Sequence, residues 1–163
     1  MDKTNSNCSW TTYKHGNADA NALTKYNYAT SYGENPDGKT TLDPEDDAAR
    51  FHMGGDWRMP TKDEFQELLD NTTNEWVIDF NGSGVNGRKF TSKTDKSKYI
   101  FIPAAGYCGD GSVGSVGDYG YVWSSSLDTS SPIYAWSLYF YSGNCRVSYG
   151  SRYYGRSVRG VRK

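Results

Sequence analysis

The sequence predicts an α+β domain in which two short helices precede an antiparallel β-sheet with long loops. Three observations predict it. Helix-starting signals cluster between residues 42 and 71, and beyond Asn71 apolar and aromatic residues alternate with polar ones. No strand–helix–strand unit occurs anywhere, which excludes a doubly wound parallel sheet. The 163 residues are room for one domain, read as residues 1–163 with 1–31 as its N-terminal part, since a single core organises about 100–200 residues. Hydrophobic content is low at 36%, but 14 Tyr, 6 Phe and 5 Trp offset it, because each aromatic ring buries a large area.

Residues 2–38 are rich in Asn, Thr, Ser and Tyr without a sustained period, and read as loops with one or two short edge strands. Asn35-Pro36-Asp37-Gly38 has the composition of a turn. Residues 42–50 read as a short helix, with Asp43 as N-cap, Pro44 in the first helical position and acids in the first turn, ended by Gly54-Gly55. The second helix, over residues 60–69, is signalled more strongly. Thr61 can cap it while Glu64 reaches back to the cap amide, and Phe65, Leu68 and Leu69 share the face that enters the core, with Trp57 and Met59 leading in.

The second half reads as strands. Residues 98–103 and 119–125 are β-branched and aromatic runs separated by a Gly- and Ser-rich loop over 106–118. In residues 134–141, Tyr134, Trp136, Leu138 and Phe140 fall on one face and Ala135, Ser137, Tyr139 and Tyr141 on the other. Ser142-Gly143-Asn144 is a tight turn, residues 145–149 return as the hairpin partner, and residues 157–162 close the chain as a last strand.

Charge is uneven along the chain. Residues 1–80 hold 7 Lys+Arg against 15 Asp+Glu, a balance of −8, and residues 81–163 hold 11 against 4, a balance of +7. Opposite-sign elements are expected to pack together or to occupy separate solvated faces. The basic set Arg146, Arg152, Arg156, Arg159, Arg162 and Lys163 is read as part of that balance, with no nucleic-acid partner expected. No apolar run approaches the 18 or so residues of a membrane span, and no signal-peptide stretch opens the chain, which leaves a cytosolic protein or a mature or trimmed form.

The chemistry of most sites is missing. The three cysteines, Cys8, Cys108 and Cys145, form no C-x-x-C, so a thiolate zinc site is excluded, and a Cys108–Cys145 disulfide stays open. His15 and His52 are too few and too isolated for a zinc site or a Ser-His-Asp triad, and His52 reads as a helix-end neighbour. The glycine-rich stretches near Asp110 and Gly117 lack the Lys and following helix of a phosphate loop. Asp43, Glu45, Asp46 and Asp47 offer hard oxygen ligands, but first-turn helix acids explain them equally. No metal and no cofactor are expected.

Ordered pieces of the chain carry a resemblance: Asn35-Pro36-Asp37-Gly38-Lys39, then Gly54-Gly55-Asp56-Trp57-Arg58-Met59-Pro60-Thr61-Lys62-Asp63-Glu64-Phe65, then Val122-Trp123-Ser124-Ser125-Ser126, and Arg156-Ser157-Val158-Arg159-Gly160-Val161-Arg162. Over residues 32–163 they resemble the Fibrobacter succinogenes major paralogous domain, a set of secreted or surface domains common in Bacteroidetes. The W-R-M-P-T segment is also similar to the W-R-L-P-T-E-x-E-W segment of formylglycine-generating-enzyme-like proteins. Both resemblances imply a C-type-lectin-like fold. They also imply an extracellular or cell-surface location, its signal or anchor not in this chain.

The enzyme relatives rest their oxidase chemistry on paired cysteines holding copper, and this chain departs from that pattern, since Cys145 and Cys108 lie in different loops. Sugar-binding C-type lectins carry E-P-N or Q-P-D and then W-N-D. Here Glu34-Asn35-Pro36-Asp37 stands in another order and place, so no calcium-dependent sugar site is expected.

The final third is similar to variable proteins of diversity-generating retroelements, which present a C-terminal surface varied at template adenines. Between Asp128 and Arg156, six tyrosines are interleaved with Ser, Gly and Arg, the composition of an antibody-like paratope. The expected function is therefore a non-enzymatic, receptor- or adhesin-like module that binds a protein or glycan. Its binding face would comprise Asp128, Ser131, Ser137, Tyr139, Tyr141, Arg146, Ser148, Tyr149, Tyr153 and Tyr154. Trp57, Phe65, Trp123, Trp136 and Leu138 are assigned to scaffold. The alternatives are a formylglycine-generating-enzyme-like oxidase and a structural module of a surface or pilus protein.

Overall fold

Helix α2 (Lys62–Asn71) begins on the capping box its sequence announces. In this computed structural model, Thr61 Oγ1 accepts from the Glu64 amide at 3.2 Å and Glu64 Oε2 accepts from the Thr61 amide at 2.9 Å. Arg58 adds a two-pronged pair to the same carboxylate, at 2.5 and 2.6 Å. The helix buries Phe65, with Leu68 and Leu69 packed beside it. The structure describes residues 7–162; residues 1–6, where the first loop segment starts, and Lys163, one member of the basic set, lie outside the described residues.

Helix α1 (Ala48–Met53) starts later than expected. Its cap is Asp47, which accepts from the Arg50 amide at 3.0 Å. Asp43 cannot serve because its carboxylate is taken by Lys25 and Lys39, and its carbonyl instead closes a turn onto the Asp46 and Asp47 amides. Asp47 also accepts from the Met59 amide, which ties the start of α1 to the approach to α2. Gly54 ends the helix with φ of 68°, where a side chain would be strained.

Three antiparallel sheets follow. β1 (Thr72–Val77), β2 (Gly87–Ser92) and β3 (Tyr99–Pro103) pair in that order. β4 (Tyr107–Gly109) and β5 (Ser112–Gly114) make a small hairpin inside the segment expected to be a loop. β6 (Tyr119–Leu127), β7 (Tyr134–Tyr141) and β8 (Asn144–Ser151) form the third sheet, in that order. Residues 157–162 do not form the expected closing strand. Their partners belong to different elements, Val122 with Ser157 and Arg58 with Val161, so single bridges replace a ladder.

The main core gathers Phe65 of α2, Phe90 of β2, Ile102 of β3, and Val122, Leu138 and Phe140 of the third sheet. Leu138 and Phe140 lie on the β7 face the sequence assigned to the interior, whereas Tyr134 and Trp136 on that face remain half-buried. A second, smaller cluster of Tyr26, Leu127 and Ala135 lies under the N-terminal segment.

That segment contains no strand among the described residues, contrary to expectation; it is turns, with one 3-10 turn at Thr30–Tyr32. Side chains hold it in place of a ladder. Asp37 accepts from the Tyr26, Asn27 and Lys39 amides. Arg152, buried, donates to the carbonyls of Lys25, Tyr26 and Pro132 and to the Tyr13 hydroxyl. A Cys8–Cys108 disulfide joins its start to β4. The Cys108–Cys145 pairing that the sequence left open does not form: Cys145 stands opposite Phe140 on the core-facing row of β8, while Cys108 is bridged to Gly155 beside Cys8.

The described ion pairs do not join the acidic and basic halves as the charge balance suggests. Lys14, Lys25, Lys39 and Arg58 neutralise acids of their own half, and only Glu75–Lys89 crosses residue 80. Arg88, Arg146, Arg152 and Arg156 of the second half instead meet carbonyls, neutral side chains and aromatic rings.

Candidate functional site

The β6–β8 sheet presents an aromatic face on the side opposite α2. Directly paired residues share a face, so the register builds it row by row. Tyr119, Tyr141 and Asn144 form the first row, Tyr121, Tyr139 and Arg146 the second, and Trp123, Ser137 and Ser148 the third. The rings touch. Tyr121 and Tyr139 have centroids 5.1 Å apart, Tyr119 and Tyr141 5.5 Å, and Tyr139 and Tyr141 5.8 Å. Tyr107 of β4 extends the patch, 5.4 Å from Tyr121 and 5.3 Å from Tyr154. Burial among these rings raises the Tyr121 and Tyr139 hydroxyls above the usual phenol range, so both stay neutral donors.

Arg156 lies over the third row. Its guanidinium carbon is 4.2 Å from the Trp123 ring centroid, 4.8 Å from that of Tyr121 and 5.6 Å from that of Tyr154. Nη1 donates to Ser137 Oγ at 2.7 Å, whereas Nε is buried without a hydrogen-bond partner. Gly150 makes room for it, since a Cβ there would overlap Nη2. Burial lowers its pKa to about 10, against the raising influence of the surrounding tyrosines. A cavity of about 180 Å³ opens beside it, lined also by Tyr121, Tyr139, Arg146, Ser148 and Tyr149. Arg146, exposed, rests on the Tyr139 ring at 5.2 Å. Neither arginine has an ion-pair partner among the described residues.

The ten expected face residues are brought together only in part. Tyr139, Tyr141, Arg146 and Ser148 are contiguous, and Ser137 shares their face but is fully buried beneath Arg156. Tyr154 joins through Tyr107, and Tyr153 lies beside Tyr154 at 4.4 Å and under Trp10 at 5.3 Å. Tyr149 is on the other side of the sheet: it pairs with Trp136, and its ring meets Tyr134 and Trp136. Asp128 and Ser131 sit at the far end of the β6–β7 pair. There Asp128 is buried and accepts from the Ser130 and Ser131 amides, a turn-holding role. Sequence reasoning missed Tyr107, Tyr119, Tyr121 and Arg156. The alternation Tyr119-x-Tyr121-x-Trp123 signals the strand part of that set.

Residues 2–162 match the Lcl C-terminal domain family. The chain belongs to that family. It is a Fibrobacter-type paralogous domain family, which agrees with the resemblance carried by the W-R-M-P-T and S-V-R-G-V-R segments. No curated protein and no solved structure matches the chain.

Other groups in this Lcl C-terminal domain are already occupied. Carboxylate oxygens of Asp43, Glu45 and Asp46 lie within 4.8 Å of one another, but Lys25 Nζ sits among them at 2.7, 3.1 and 2.6 Å. Burial raises the Asp46 carboxyl, yet hydrogen bonds from Lys14, Lys25, Tyr26 and His15 outweigh it and hold the group well below the usual carboxylate range. His15 is thereby tied to Asp46 at 3.1 Å, and His52 lies in the last turn of α1. Burial pushes the Cys145 thiol up to about 11, the reverse of an activated thiolate, and the other two cysteines are joined to each other. Among the described residues no helix is long and apolar enough to cross a membrane.

Proposed function

We propose that this domain is a non-enzymatic ligand-binding module of C-type-lectin-like architecture, whose tyrosine face contacts a protein or glycan ligand outside the cell. The observation that carries this reading is the unbroken patch of Tyr119, Tyr121, Tyr139, Tyr141, Tyr107 and Tyr154 around two arginines that have no acidic partner among the described residues. Tyr gives large contact area at low entropic cost and keeps a hydroxyl for polar contacts, and Tyr and Arg are the residue types that anchor interfaces. The Cys8–Cys108 disulfide supports a location in an oxidising compartment. Whether the face is diversified by a retroelement is a separate claim, read from the Tyr, Ser, Gly and Arg content of residues 128–156.

The test uses a ligand selected by panning the domain against protein and glycan libraries. Replacing Tyr139 and Tyr141 together by Ala is expected to weaken binding by at least tenfold, while Tyr99→Ala on β3, an exposed tyrosine of another sheet, leaves it within twofold. Equal binding by all variants would remove the face from the reading. Amplicon sequencing of the gene across its source population checks diversification. Substitutions concentrated at Tyr139, Tyr141, Arg146 and Ser148 support it, and a stretch as constant as Trp57 to Phe65 ends it.

A further inference from the structure

We propose that Arg156 and Arg146 form a carboxylate-binding subsite at the centre of the tyrosine face, taking an acidic side chain of a protein ligand. The inference deepens the binding-face reading and rests on it.

Arg156, half-buried, differs in one respect from the buried Arg152. Arg152 spreads its donors over three carbonyls and a tyrosine hydroxyl, so its charge is fully solvated by the protein. Arg156 makes one hydrogen bond, to Ser137, and its Nε has none. A guanidinium withdrawn from water without a counter-ion is costly, and a protein retains such a group where something outside the chain completes it. Its guanidinium carbon lies over the Trp123, Tyr121 and Tyr154 rings, and the N–H donors not spent on Ser137 are what the group offers to the cavity it lines.

Nη2 occupies the space that a side chain at Gly150 would take, and a cavity of about 180 Å³ lies beside the guanidinium, with Tyr121, Tyr139, Arg146, Ser148 and Tyr149 in its lining. Among the described residues no acid forms an ion pair with either arginine. Of the four acids beyond residue 80, Asp95 is bound to Ser97 and Lys98, Asp128 to Ser130 and Ser131, and neither Asp110 nor Asp118 forms a described ion pair with these arginines. The complement of two guanidiniums among neutral tyrosines is an anion. A planar carboxylate matches the fork of Arg in two parallel hydrogen bonds. Tetrahedral oxyanions favour helix N-termini and amide nests, and the longer helix, α2, packs on the opposite side of the sheet.

The experiment reads the Arg Nε–H resonances of the 15N-labelled domain at constant ionic strength. The probes are N-acetylglutamate α-amide, its uncharged glutamine counterpart, and sodium sulfate. The expected result is a saturable shift of the Arg156 Nε–H with the glutamate probe in the millimolar range, at least tenfold weaker binding of sulfate, and none of the glutamine probe. Arg146→Gln is expected to weaken the glutamate probe at least threefold. Absence of a saturable shift, or equal response to sulfate, would overturn the proposal. Arg156→Lys should abolish the titration, and where that variant fails to fold, Ser148→Asp decides. A carboxylate placed there should raise the melting temperature and block the probe, and a lower melting temperature with the probe still bound would count against the subsite. Loss of ligand capture in the Tyr139 and Tyr141 double variant without any Arg156 shift removes this subsite alone. An Arg156 shift with ligand capture unchanged in that variant keeps the subsite and removes the tyrosine-face reading.

Discussion

Arg156 Nη1 donates to Ser137 Oγ at 2.7 Å, and this bond joins the C-terminal segment to the middle strand of the third sheet. Ser137 is fully buried at a position where the strand pattern alone would favour an apolar residue. Its hydroxyl is retained because it partly satisfies a guanidinium that has little else. Ser137→Ala is therefore expected to cost about 1–3 kcal/mol, the penalty of a buried donor left unpaired. Thermal melts check it, since about 1 kcal/mol shifts the midpoint by roughly 2–4 °C in a domain of this size. Gly150→Ala should destabilise as well, because its Cβ overlaps Nη2, and the loss should shrink when Arg156 is shortened to Ala in the same chain.

The Cys8–Cys108 disulfide spans a sequence separation of 100 residues and secures a segment that has no ladder of its own. Cys8→Ser is expected to lower stability by about 2–4 kcal/mol, and a reductant should bring the melting point of the parent protein down to that of the variant. Thiol titration provides an independent check. The native oxidised chain should react slowly with a thiol reagent, because Cys145 is half-buried and its thiol is pushed up to about 11; the unfolded, unreduced chain should titrate one thiol. Two or three reactive thiols would contradict the pairing.

Arg152 acts as the second fastening of the same segment. Replacing it by Met preserves much of its volume but leaves the Lys25, Tyr26 and Pro132 carbonyls without their charged donor. The expected loss is on the order of 3 kcal/mol, larger than for Arg146→Met on the exposed face, which should change stability by less than about 0.5 kcal/mol. Hydrogen exchange at residues 23–33 gives the local readout: protection there should fall in Arg152→Met while the β6–β8 amides remain protected.

What could be read from the chain was what short-range chemistry determines. The capping box of α2 and the alternation of β7 are written within a few residues each, and both elements stand at their expected positions. β1 and β2 escaped notice because Thr72-Thr73-Asn74-Glu75 and Gly87-Arg88-Lys89 are polar, and their pairing with β3 depends on partners far along the chain. The site shows the same division. Tyr139, Tyr141, Arg146 and Ser148 follow from strand alternation, but Tyr149 was placed on the wrong side because the register across the 142–144 turn sets Trp136, not Tyr139, in its row. Arg156 carries no local signal at all. Its place comes from the Cys108–Gly155 and Val122–Ser157 bridges, which only the folded chain brings about.

The Arg58–Glu64 pair supplies a pH dependence whose sign can be worked out. Hydrogen bonds from Arg58, with lesser help from the Thr61 amide and against some desolvation, lower the Glu64 pKa from 4.5 to about 2. A carboxyl that is more acidic in the folded state stabilises fully above its unfolded pKa, and the contribution is lost as pH falls from about 4.5 through about 2. Both side chains are about a third exposed, so solvent screening keeps the pair's net worth near 1 kcal/mol or less. Glu64→Gln is the informative variant. It retains an acceptor for the Thr61 amide, and so the capping box, while removing the charge. At pH 7 and low salt it should melt a few degrees below the parent, with the gap closing as pH is lowered toward 2 and as salt is raised. Thr61→Ala, by contrast, should cost about 1 kcal/mol with little dependence on pH, because it removes a neutral cap. Melting curves of Glu64→Gln and parent that run parallel from pH 7 to pH 2 would show that the ion pair contributes nothing beyond the cap.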